Sequence, residues 1–297
     1  MKREISDFFK VNDVKYKENY NLSAISPVRI GAKTQFLVYP DSEEKLIIVV
    51  RFLRNNKIKH KILGRMSNVL PPDETYEGVI IRTDLLSQIS CKGTSVDVSC
   101  GVSLPHIAKL TADAGLSGFE ELSGIPGSVG GAILSNAGAF GREIADTLTK
   151  IRVFNLDTSE IEQIKEISFD YRFCGLDRDR FVILSSKFSL SRSNSVTANE
   201  LIQRYREKRM ATQPVGQASL GSTFKRPGKE VYASKLIDDC GLKGMSIGGA
   251  KISEKHAGFI VNKGGSTAAD YLALAEYARE RVFEKFAINL EKEIEII

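Results

Sequence analysis

The first third of the chain shows a strand-like pattern, a helix-like pattern and a second strand-like pattern in succession. Residues 28–40 alternate between apolar and polar side chains, which predicts a strand. Asp41 or Ser42 is expected to cap the helix that follows. The apolar positions of this helix recur at helical spacing and are Leu46, Val49, Val50 and Leu53. Together with a short strand predicted at 59–63, the pattern indicates a small β-α-β unit.

From Gly78 onward, short strands outnumber helices. Strands are predicted at 78–83, 95–101, 150–156 and 181–191. One helix interrupts them, with Ser103 as its expected N-cap and Gly115 just past its end. Many strands with one inserted helix predict a mixed α+β domain.

The pattern changes again near Val196 and becomes mainly helical. Helices are predicted at 198–210, 233–241 and 266–286, with a strand at 258–262. Ser266 or Thr267 is expected to cap the last helix. The inner stripe of that helix is predicted to be Leu272, Ala275, Ala278, Val282 and Phe286.

The final ten residues alternate, which predicts a strand. Its apolar face is expected to carry Ile288, Leu290, Ile294 and Ile296. Its other face carries Glu291, Glu293 and Glu295, and the alternation cannot choose among these glutamates. By default, each of them is a charge that blocks pairing at a sheet edge.

Composition is that of an ordinary globular protein. The chain has 297 residues, of which 42% are hydrophobic and 27% charged, enough for two or three domains. The net charge of +5 is small, and the basic residues of the chain are mostly scattered, so nucleic-acid binding is not expected. One basic group is either a solvated helix face or a site for a phosphate-bearing small molecule, and it consists of Arg204, Arg206, Lys208 and Arg209.

Neither a metal site nor a membrane span is indicated. The four cysteines have no C-x-x-C spacing and only three histidines are present. No apolar run approaches the roughly 20 residues of a membrane span, and the N-terminus lacks the apolar core of a secretory signal. We therefore expect a reduced, cytoplasmic protein with no obligate protein partner.

Glycine is concentrated in one segment of the chain. Six of the 24 glycines lie between Gly124 and Gly141, in the run GIPGSVGGAILSNAGAFG. Such glycines favour close backbone approach or positive φ, and their bare N–H groups form nests suited to phosphate. A surface turn cluster is the alternative, although Ile125 and Val129 are too apolar for a solvated linker. The segment fits neither the P-loop motif nor the Rossmann glycine pattern.

Two loops and several shorter motifs together show a family resemblance. LGRMSNVL at 63–70 and SGIPGSVGGAILSNAGAFG at 123–141 look like the paired flavin-pyrophosphate loops of the vanillyl-alcohol-oxidase type of FAD-binding fold. The shorter motifs follow in order and are FDYR (169–172), GSTFKRP (221–227), the run at 234–262 and LEKEIEII (290–297). Over about residues 20–297 the chain resembles the UDP-N-acetylenolpyruvoylglucosamine reductase family. The short stretch between FDYR and GSTFKRP resembles the shorter class of that family, which lacks a tyrosine-bearing insert over the substrate.

The resemblance implies a fold, a cofactor and a reaction. The fold would be α+β, with two subdomains of a PCMH-type FAD-binding fold and an α+β substrate-binding domain. Its parts would be an N-terminal extension at 1–20, FAD-binding subdomains at 21–76 and 77–192, and a substrate-binding domain at 193–297. The implied cofactor is non-covalent FAD. NADPH would supply hydride to reduce UDP-N-acetylglucosamine enolpyruvate to UDP-N-acetylmuramate for peptidoglycan.

The resemblance also implies which residues contact the cofactor. From the first loop they are Gly64, Arg65, Ser67 and Asn68. From the second loop they are Gly124, Ile125, Pro126, Gly127, Ser128, Gly130 and Gly131, with Asn136 and Gly138 just beyond. Met66 stands where the family usually has glycine. If that position requires positive φ, Met66 costs about 1 kcal/mol.

Three residues match the catalytic residues of the family. Ser222 matches the proton donor to the substrate carbon, and Arg172 matches the arginine that stabilises the enolate. Alignment with the family's ending selects Glu293, which works with the arginine. Without the resemblance, Ser222 would be a turn serine and Arg172 a surface arginine at a strand end. Cys174 and Leu176 depart from the family pattern that follows the arginine.

Contacts to the phosphates of the UDP-sugar and NADPH are expected from Tyr171, Lys225, Arg206 and Arg209. Arg226 replaces a common asparagine of the family beside this group. Two alternatives remain, namely another FAD-dependent oxidase or dehydrogenase and a non-catalytic nucleotide-binding paralogue. The first would need a base and oxygen access instead of the three catalytic residues, and the second would be supported by the loss of one of them.

Overall fold

Helices and strands alternate through residues 2–297, the part of the chain that the computed structural model describes. The helices are α1 (Lys2–Val11), α2 (Glu43–Asn55), α3 (Leu104–Asp113), α4 (Val129–Leu134), α5 (Ser195–Thr212), α6 (Ala233–Asp239) and α7 (Ala268–Phe286), with 3-10 turns at Leu22–Ala24 and Ile144–Asp146. The first strands are β1 (Lys15–Asn21), β2 (Lys33–Tyr39), β3 (His60–Leu63), β4 (Val69–Leu70), β5 (Tyr76–Arg82), β6 (Ile89–Lys92), β7 (Ser95–Ser99), β8 (Leu116–Ser117), β9 (Gly138–Ala139) and β10 (Arg142–Glu143). The later strands are β11 (Leu148–Asn155), β12 (Ile161–Ile164), β13 (Phe169–Asp170), β14 (Phe173–Cys174), β15 (Phe181–Ser189), β16 (Ser191–Arg192), β17 (Ser219–Ser222), β18 (Ser246–Ile247), β19 (Ala250–Ile252), β20 (Phe259–Asn262) and β21 (Glu295–Ile296).

Side-chain caps decide where the predicted helices begin. Ser42 rather than Asp41 caps α2, because its side chain accepts the Lys45 N–H at 3.2 Å. Thr267 caps α7 by accepting the Asp270 N–H at 3.0 Å, and the Asp270 carboxylate accepts the Thr267 N–H at 3.1 Å. Each cap satisfies an N–H group that the first turn of a helix leaves without an acceptor.

The sequence pattern misses two elements near the N-terminus. Helix α1 and all of strand β1 except Asn21 lie within the segment expected to be an extension. Ile5 and Phe9 of α1 are buried in a hydrophobic core, one turn apart on the same helix face. The strand expected at 28–40 begins only at Lys33.

The first of two units comprises the described residues up to Glu18 together with Phe36–Arg65 and Gly78–Glu207. Its largest sheet is antiparallel, with the strand order β12-β11-β15-β7-β6. In a second sheet of order β1-β2-β5-β3, strands β3 and β5 run parallel. The largest side chains of its core are Phe9, Phe36, Phe119, Phe154 and Phe188.

The second unit comprises Asn19–Gln35, Met66–Glu77 and Lys208–Ile297. It contains an antiparallel sheet of order β17-β20-β19-β18 and a parallel pair formed by β4 and β21. The predicted inner stripe of α7 was partly wrong, because Tyr271 and Leu274 are fully buried whereas Leu272 and Phe286 are only partly so. Ala275, Ala278 and Val282 are buried as predicted, so the buried face of α7 coincides with the predicted stripe in the middle of the helix and differs from it near the ends.

The C-terminal segment is less regular than its alternation predicts. Leu290 and Ile294 are buried as expected, but Ile296 is 51% exposed and the expected apolar face ends before it. Only Glu295–Ile296 forms a regular strand, because this segment pairs with β4 over two residues.

The mixture of helices and sheets in both units confirms the predicted α+β fold class. Across residues 2–297, none of the helices combines the length and apolarity that a membrane span requires. The same residues contain no group of three or more His, Cys, Asp or Glu side chains that could hold a metal ion.

Candidate active site

The first glycine loop begins where β3 ends, and its glycine touches the second loop. A Cβ atom on Gly64 would lie 2.0 Å from Ser128 Oγ, closer than any side chain allows. Ser128 caps α4, since its Oγ accepts the Gly131 N–H at 3.3 Å. The missing side chain at Gly64 therefore lets the two loops meet, as loops that share one ligand must.

The backbone amides of the second loop are mostly used within the protein. Val129 N–H donates to Val102 O and Gly130 N–H donates to Cys100 O, both at 2.8 Å. The expectation that the N–H groups of this loop are bare is therefore wrong for most of the loop. Its glycines instead allow the loop to pack closely against the segment at 100–102. In the part of the loop at 123–131, two amides have no acceptor among the described residues, and these belong to Gly124 and Ser128.

Met66 occupies a left-handed turn in the first loop. Its φ is +56° and it is 2% exposed. Because a residue other than glycine is strained at positive φ, Met66 costs about 1 kcal/mol of conformational energy at this position. The Val69 N–H donates to Met66 O at 3.3 Å and closes the turn across Ser67 and Asn68.

Asn136 lies at the end of the second loop, fully buried and with a φ of +40°. Its Nδ2 donates to Glu143 Oε2 at 2.6 Å and to the Asp170 carbonyl at 3.0 Å. Its Oδ1 is buried and has no hydrogen-bond partner among the described residues. The side-chain amide therefore ties the loop to the strand that leads into Arg172.

Arg172 lies in the turn of the hairpin formed by β13 and β14. Its φ is +54°, and its Nη2 donates to the Gly138 carbonyl at 3.4 Å. The guanidinium carbon lies 5.1 Å from the centroid of the Tyr171 ring. The first unit thus brings together Arg172, Tyr171 and the end of the second loop.

In the second unit, the chain that continues β17 runs beside the C-terminal segment. The Lys225 N–H donates to the Glu291 carbonyl, and the Glu293 N–H donates to the Thr223 carbonyl, each at 2.8 Å. Strand β17 pairs with β20 on its other side. This backbone ladder holds Glu293 next to the residue that follows Ser222.

The three C-terminal glutamates have different surroundings. Glu291 is exposed, and its Oε1 lies 2.5 Å from Lys225 Nζ. Glu293 is half-buried, and its carbonyl accepts Asn68 Nδ2 at 2.9 Å. The Glu295 N–H donates to the Asn68 carbonyl at 2.9 Å. Because Lys225 pairs with Glu291, its charge is directed toward that carboxylate and not toward Ser222.

Ser222 carries a half-buried hydroxyl to which the structure gives no partner within residues 2–297. The next residue, Thr223, has its Oγ1 2.9 Å from the hydroxyl of Tyr271, and both groups are buried. Burial raises the pKa of Tyr271 far above that of an ordinary phenol, so this hydroxyl stays neutral. The buried pair anchors the strand beside Ser222 and leaves the serine hydroxyl available.

Arg206 and Arg209 lie on α5 and differ in exposure. Arg206 is exposed, whereas Arg209 is half-buried, and burial lowers the pKa of the Arg209 guanidinium. Among the described residues, neither side chain is paired with a carboxylate. A half-buried cation without a partner has a desolvation cost that an anionic ligand would offset.

Sequence reasoning missed Arg82, the last residue of β5. It pairs in register with Leu63, directly before the first glycine loop, and is 7% exposed. Its Nη2 lies 2.8 Å from Asp84 Oδ2, but its Nε and Nη1 are buried without a partner anywhere in 2–297. A single arginine that ends the apolar strand GVIIR was the available signal, because a charge in such a strand requires a partner.

The residues around the two loops fit the pyrophosphate of a flavin dinucleotide. The contact between Gly64 and Ser128 leaves no room for side chains at the cradle. Unpaired donors at Gly124, Ser128 and Arg82 suit anionic oxygens, and they lie in one unit.

Two family models match the chain. An FAD binding domain matches residues 34–165, and the C-terminal domain of UDP-N-acetylenolpyruvoylglucosamine reductase matches residues 213–297. The first match includes both glycine loops, and the second includes Ser222 and Glu293. The predicted FAD-binding fold and the FAD cofactor are thereby confirmed.

Whole-chain comparisons agree with these matches. The chain is 40% identical over 270 residues to the UDP-N-acetylenolpyruvoylglucosamine reductase of Caldanaerobacter subterraneus subsp. tengcongensis, across 91% of this chain and 89% of the relative. It is 40% identical over 283 residues to that of Listeria monocytogenes serotype 4a, across 95% and 94% of the two chains. The crystal structure of UDP-N-acetylenolpyruvylglucosamine reductase from Thermus caldophilus matches with a TM-score of 0.80 at 30% identity, covering 95% of this chain and 98% of that one. The chain therefore belongs to the UDP-N-acetylenolpyruvoylglucosamine reductase family.

Proposed function

We propose that the protein is an NADPH-dependent flavoenzyme of peptidoglycan precursor synthesis. It reduces UDP-N-acetylglucosamine enolpyruvate to UDP-N-acetylmuramate. Family membership and the FAD-binding domain support the reaction class. In this chain, the observation that carries the proposal is the backbone ladder that joins Glu293 to the strand of Ser222 and to Asn68.

Bound FAD supplies hydride transfer, from NADPH to the double bond of the substrate. The protein's part is to hold the pyrophosphate between the two loops. In this proposal the contacts are Gly64, Arg65, Ser67, Asn68, Gly124, Ile125, Pro126, Gly127, Ser128, Gly130 and Gly131, with Asn136 and Gly138 beyond them. The unpaired Nε and Nη1 of Arg82 offer two further donors near the first loop.

The catalytic roles follow from the charges that the reaction creates. Hydride addition to the enolpyruvyl group leaves an enolate, which Arg172 stabilises with a guanidinium held by its hairpin. A fixed donor to a developing oxyanion is worth about 3–4 kcal/mol. Ser222 protonates the carbon, since its hydroxyl is half-buried and makes no bond to the described residues. Glu293 works with the arginine from its fixed place in the ladder.

The phosphates of the two substrates require cations and hydroxyl groups. We assign this role to Arg209, Lys225, Tyr171 and Arg206. Arg209 is the best supported, because its half-buried guanidinium has no carboxylate partner in residues 2–297. The division into an extension (1–20), two FAD-binding subdomains (21–76 and 77–192) and a substrate-binding domain (193–297) is part of this proposal. So is a cytoplasmic location, where NADPH is available.

The test separates the two half-reactions spectroscopically. Ser222→Ala should retain FAD and still be bleached anaerobically by NADPH, while its reoxidation by the enolpyruvyl substrate slows at least about 100-fold. Ser219→Ala, on the same strand, is the matched control and should be reoxidised at the wild-type rate. Equal reoxidation of Ser222→Ala and wild type would refute the assignment of the proton donor. A wild-type protein that NADPH bleaches but that the substrate does not reoxidise would refute the proposed substrate.

A further inference from the structure

We propose that Asn68 is a positioning residue for Glu293, so that one side chain of the cofactor loop also fixes the catalytic glutamate. The proposal rests on the proposed function for the role of Glu293. The geometry itself does not depend on that function, because both residues belong to the second unit.

The main observation is a contact between a loop side chain and a strand backbone. Asn68 Nδ2 donates to the Glu293 carbonyl at 2.9 Å. One residue further, the parallel pairing of Glu295 with Val69 begins, and the Glu295 N–H donates to the Asn68 carbonyl at 2.9 Å. Asn68 therefore holds the C-terminal segment by its side chain and by its backbone.

The other edge of the same segment is held by the strand of Ser222. The Glu293 N–H donates to the Thr223 carbonyl at 2.8 Å. Thr223 is itself fixed by its buried contact with Tyr271. The peptide groups of Glu293 are thus bonded on both sides, and Asn68 is the part of this clamp that comes from the cofactor loop.

The C-terminal segment needs such a clamp because its regular pairing is short. Strand β21 spans only Glu295–Ile296, and the pairing of Phe224 with Lys292 is an isolated bridge. A segment with so few ladder bonds frays easily when one of them is lost. Without Asn68 Nδ2, the half-buried Glu293 carbonyl can bond to water instead. The protein should therefore still fold, but Glu293 should be held less firmly in its position.

The loop conformation sets where the Asn68 side chain is presented. Met66 is in the left-handed region, and the Val69 N–H closes the turn on its carbonyl at 3.3 Å. Asn68 lies inside that turn. A ligand that orders the turn therefore also orders the clamp on Glu293, which links cofactor binding to the geometry of the catalytic strand.

The first experiment measures hydrogen exchange in the FAD-loaded protein. Asn68→Ala should raise the exchange rate of the Glu293 amide about fivefold, the effect of one lost hydrogen bond. Asn56→Ala, which removes an amide donor to the Phe52 carbonyl at the end of α2 and is not among the proposed contacts, should leave that rate unchanged. Asn68→Asp keeps the size of the side chain and removes the donor, so it replaces Asn68→Ala if that variant is insoluble. If a variant loses FAD, wild type and variant are compared without it.

The second experiment asks whether Asn68 acts through Glu293. At saturating FAD, Asn68→Ala should slow reoxidation of the reduced flavin by the enolpyruvyl substrate about tenfold more than it slows bleaching by NADPH. In a Glu293→Gln background the same change should have little further effect, because residues that act as a unit are not additive.

Two results would overturn the proposal. One is a Glu293 amide that exchanges at the wild-type rate in Asn68→Ala. The other is a full tenfold effect of Asn68→Ala in the Glu293→Gln background. If the wild-type flavin is not reoxidised by the substrate, the proposed function fails, while the exchange experiment still decides whether Asn68 holds Glu293.

Discussion

The contact between Gly64 and Ser128 allows a steric prediction with a built-in rescue. In Gly64→Ala, the added Cβ would lie 2.0 Å from Ser128 Oγ and 3.0 Å from Ser128 Cβ. The backbone of Gly64 is outside the left-handed region, so alanine fits its conformation and the whole effect is steric. The oxygen must move by more than an ångström, which breaks its cap on α4.

The magnitude follows from these two effects. Overpacking costs about 1–3 kcal/mol and a lost N-cap about 1 kcal/mol, so Gly64→Ala should lower the free energy of unfolding by about 3 kcal/mol. Ser128→Ala alone should cost about 1 kcal/mol. The double variant has no Oγ at position 128, so the 2.0 Å clash is removed. Only the contact of 3.0 Å between the Cβ atoms of positions 64 and 128 remains. Its cost should be about 2 kcal/mol, below the sum of the single costs.

Urea unfolding gives the three free energies, and quenching of flavin fluorescence gives the FAD dissociation constants. Gly228→Ala is the control, since the nearest atom to its added Cβ is 3.5 Å away and a change within about 0.5 kcal/mol is expected. FAD affinity should fall in Gly64→Ala and recover in part in the double variant. Additive costs, or a Gly64→Ala protein as stable as Gly228→Ala, would show that the two loops do not meet at Ser128.

Two further predictions concern stability. Asn136→Ala leaves Glu143 and the Asp170 carbonyl without their donor and should lower the free energy of unfolding by about 1–3 kcal/mol; an unchanged urea midpoint would contradict the role of this amide. Hydrogen bonds from the backbone of Thr267 and Gly249 hold the pKa of Asp270 below its ordinary value. Because its folded pKa is depressed, its stabilising contribution is complete above about pH 3.9 and is lost as pH falls through the lower folded pKa. Asp270→Asn should therefore make the acid limb of the stability profile less steep, and an acid limb with the wild-type slope would rule this out.

Most of the helices could be predicted because their signals are local, whereas many of the short strands were missed. Ser103 as N-cap and Gly115 just past the end predicted α3, and the Ser103 side chain accepts the His106 N–H at 3.3 Å as a cap should. The N-terminal helix was overlooked although Ile5, Phe8 and Phe9 recur at helical spacing, and only the core that buries them is formed by distant segments. The position of α7 was predicted, but its buried face was predicted only in part, since that face is chosen by the sheet on which the helix packs.

The candidate site divides in the same way between local and distant information. The motifs identified Arg172 and Ser222, and positive φ at Met66 was foreseen as a condition. The sequence could not show that the loop glycines mostly serve packing, because the acceptors at Cys100 and Val102 lie far along the chain. For Arg82 the sequence offered only a charge at the end of an apolar strand, since the lack of partners at its Nε and Nη1 depends on the surroundings that the fold creates.

The sequence by itself determined the family, the fold class and the types of residue available for chemistry, because motif order, spacing and capping are properties of the chain. It left Glu291, Glu293 and Glu295 equivalent by alternation. The family's ending selected Glu293, but only the tertiary structure gave a physical difference, since Lys225 pairs with Glu291 while Asn68 and Thr223 hold the backbone of Glu293. These partners lie 66 to 225 residues away along the chain, so no local pattern can encode their contacts. Contacts that form only on folding therefore give three glutamates that look alike in sequence different surroundings.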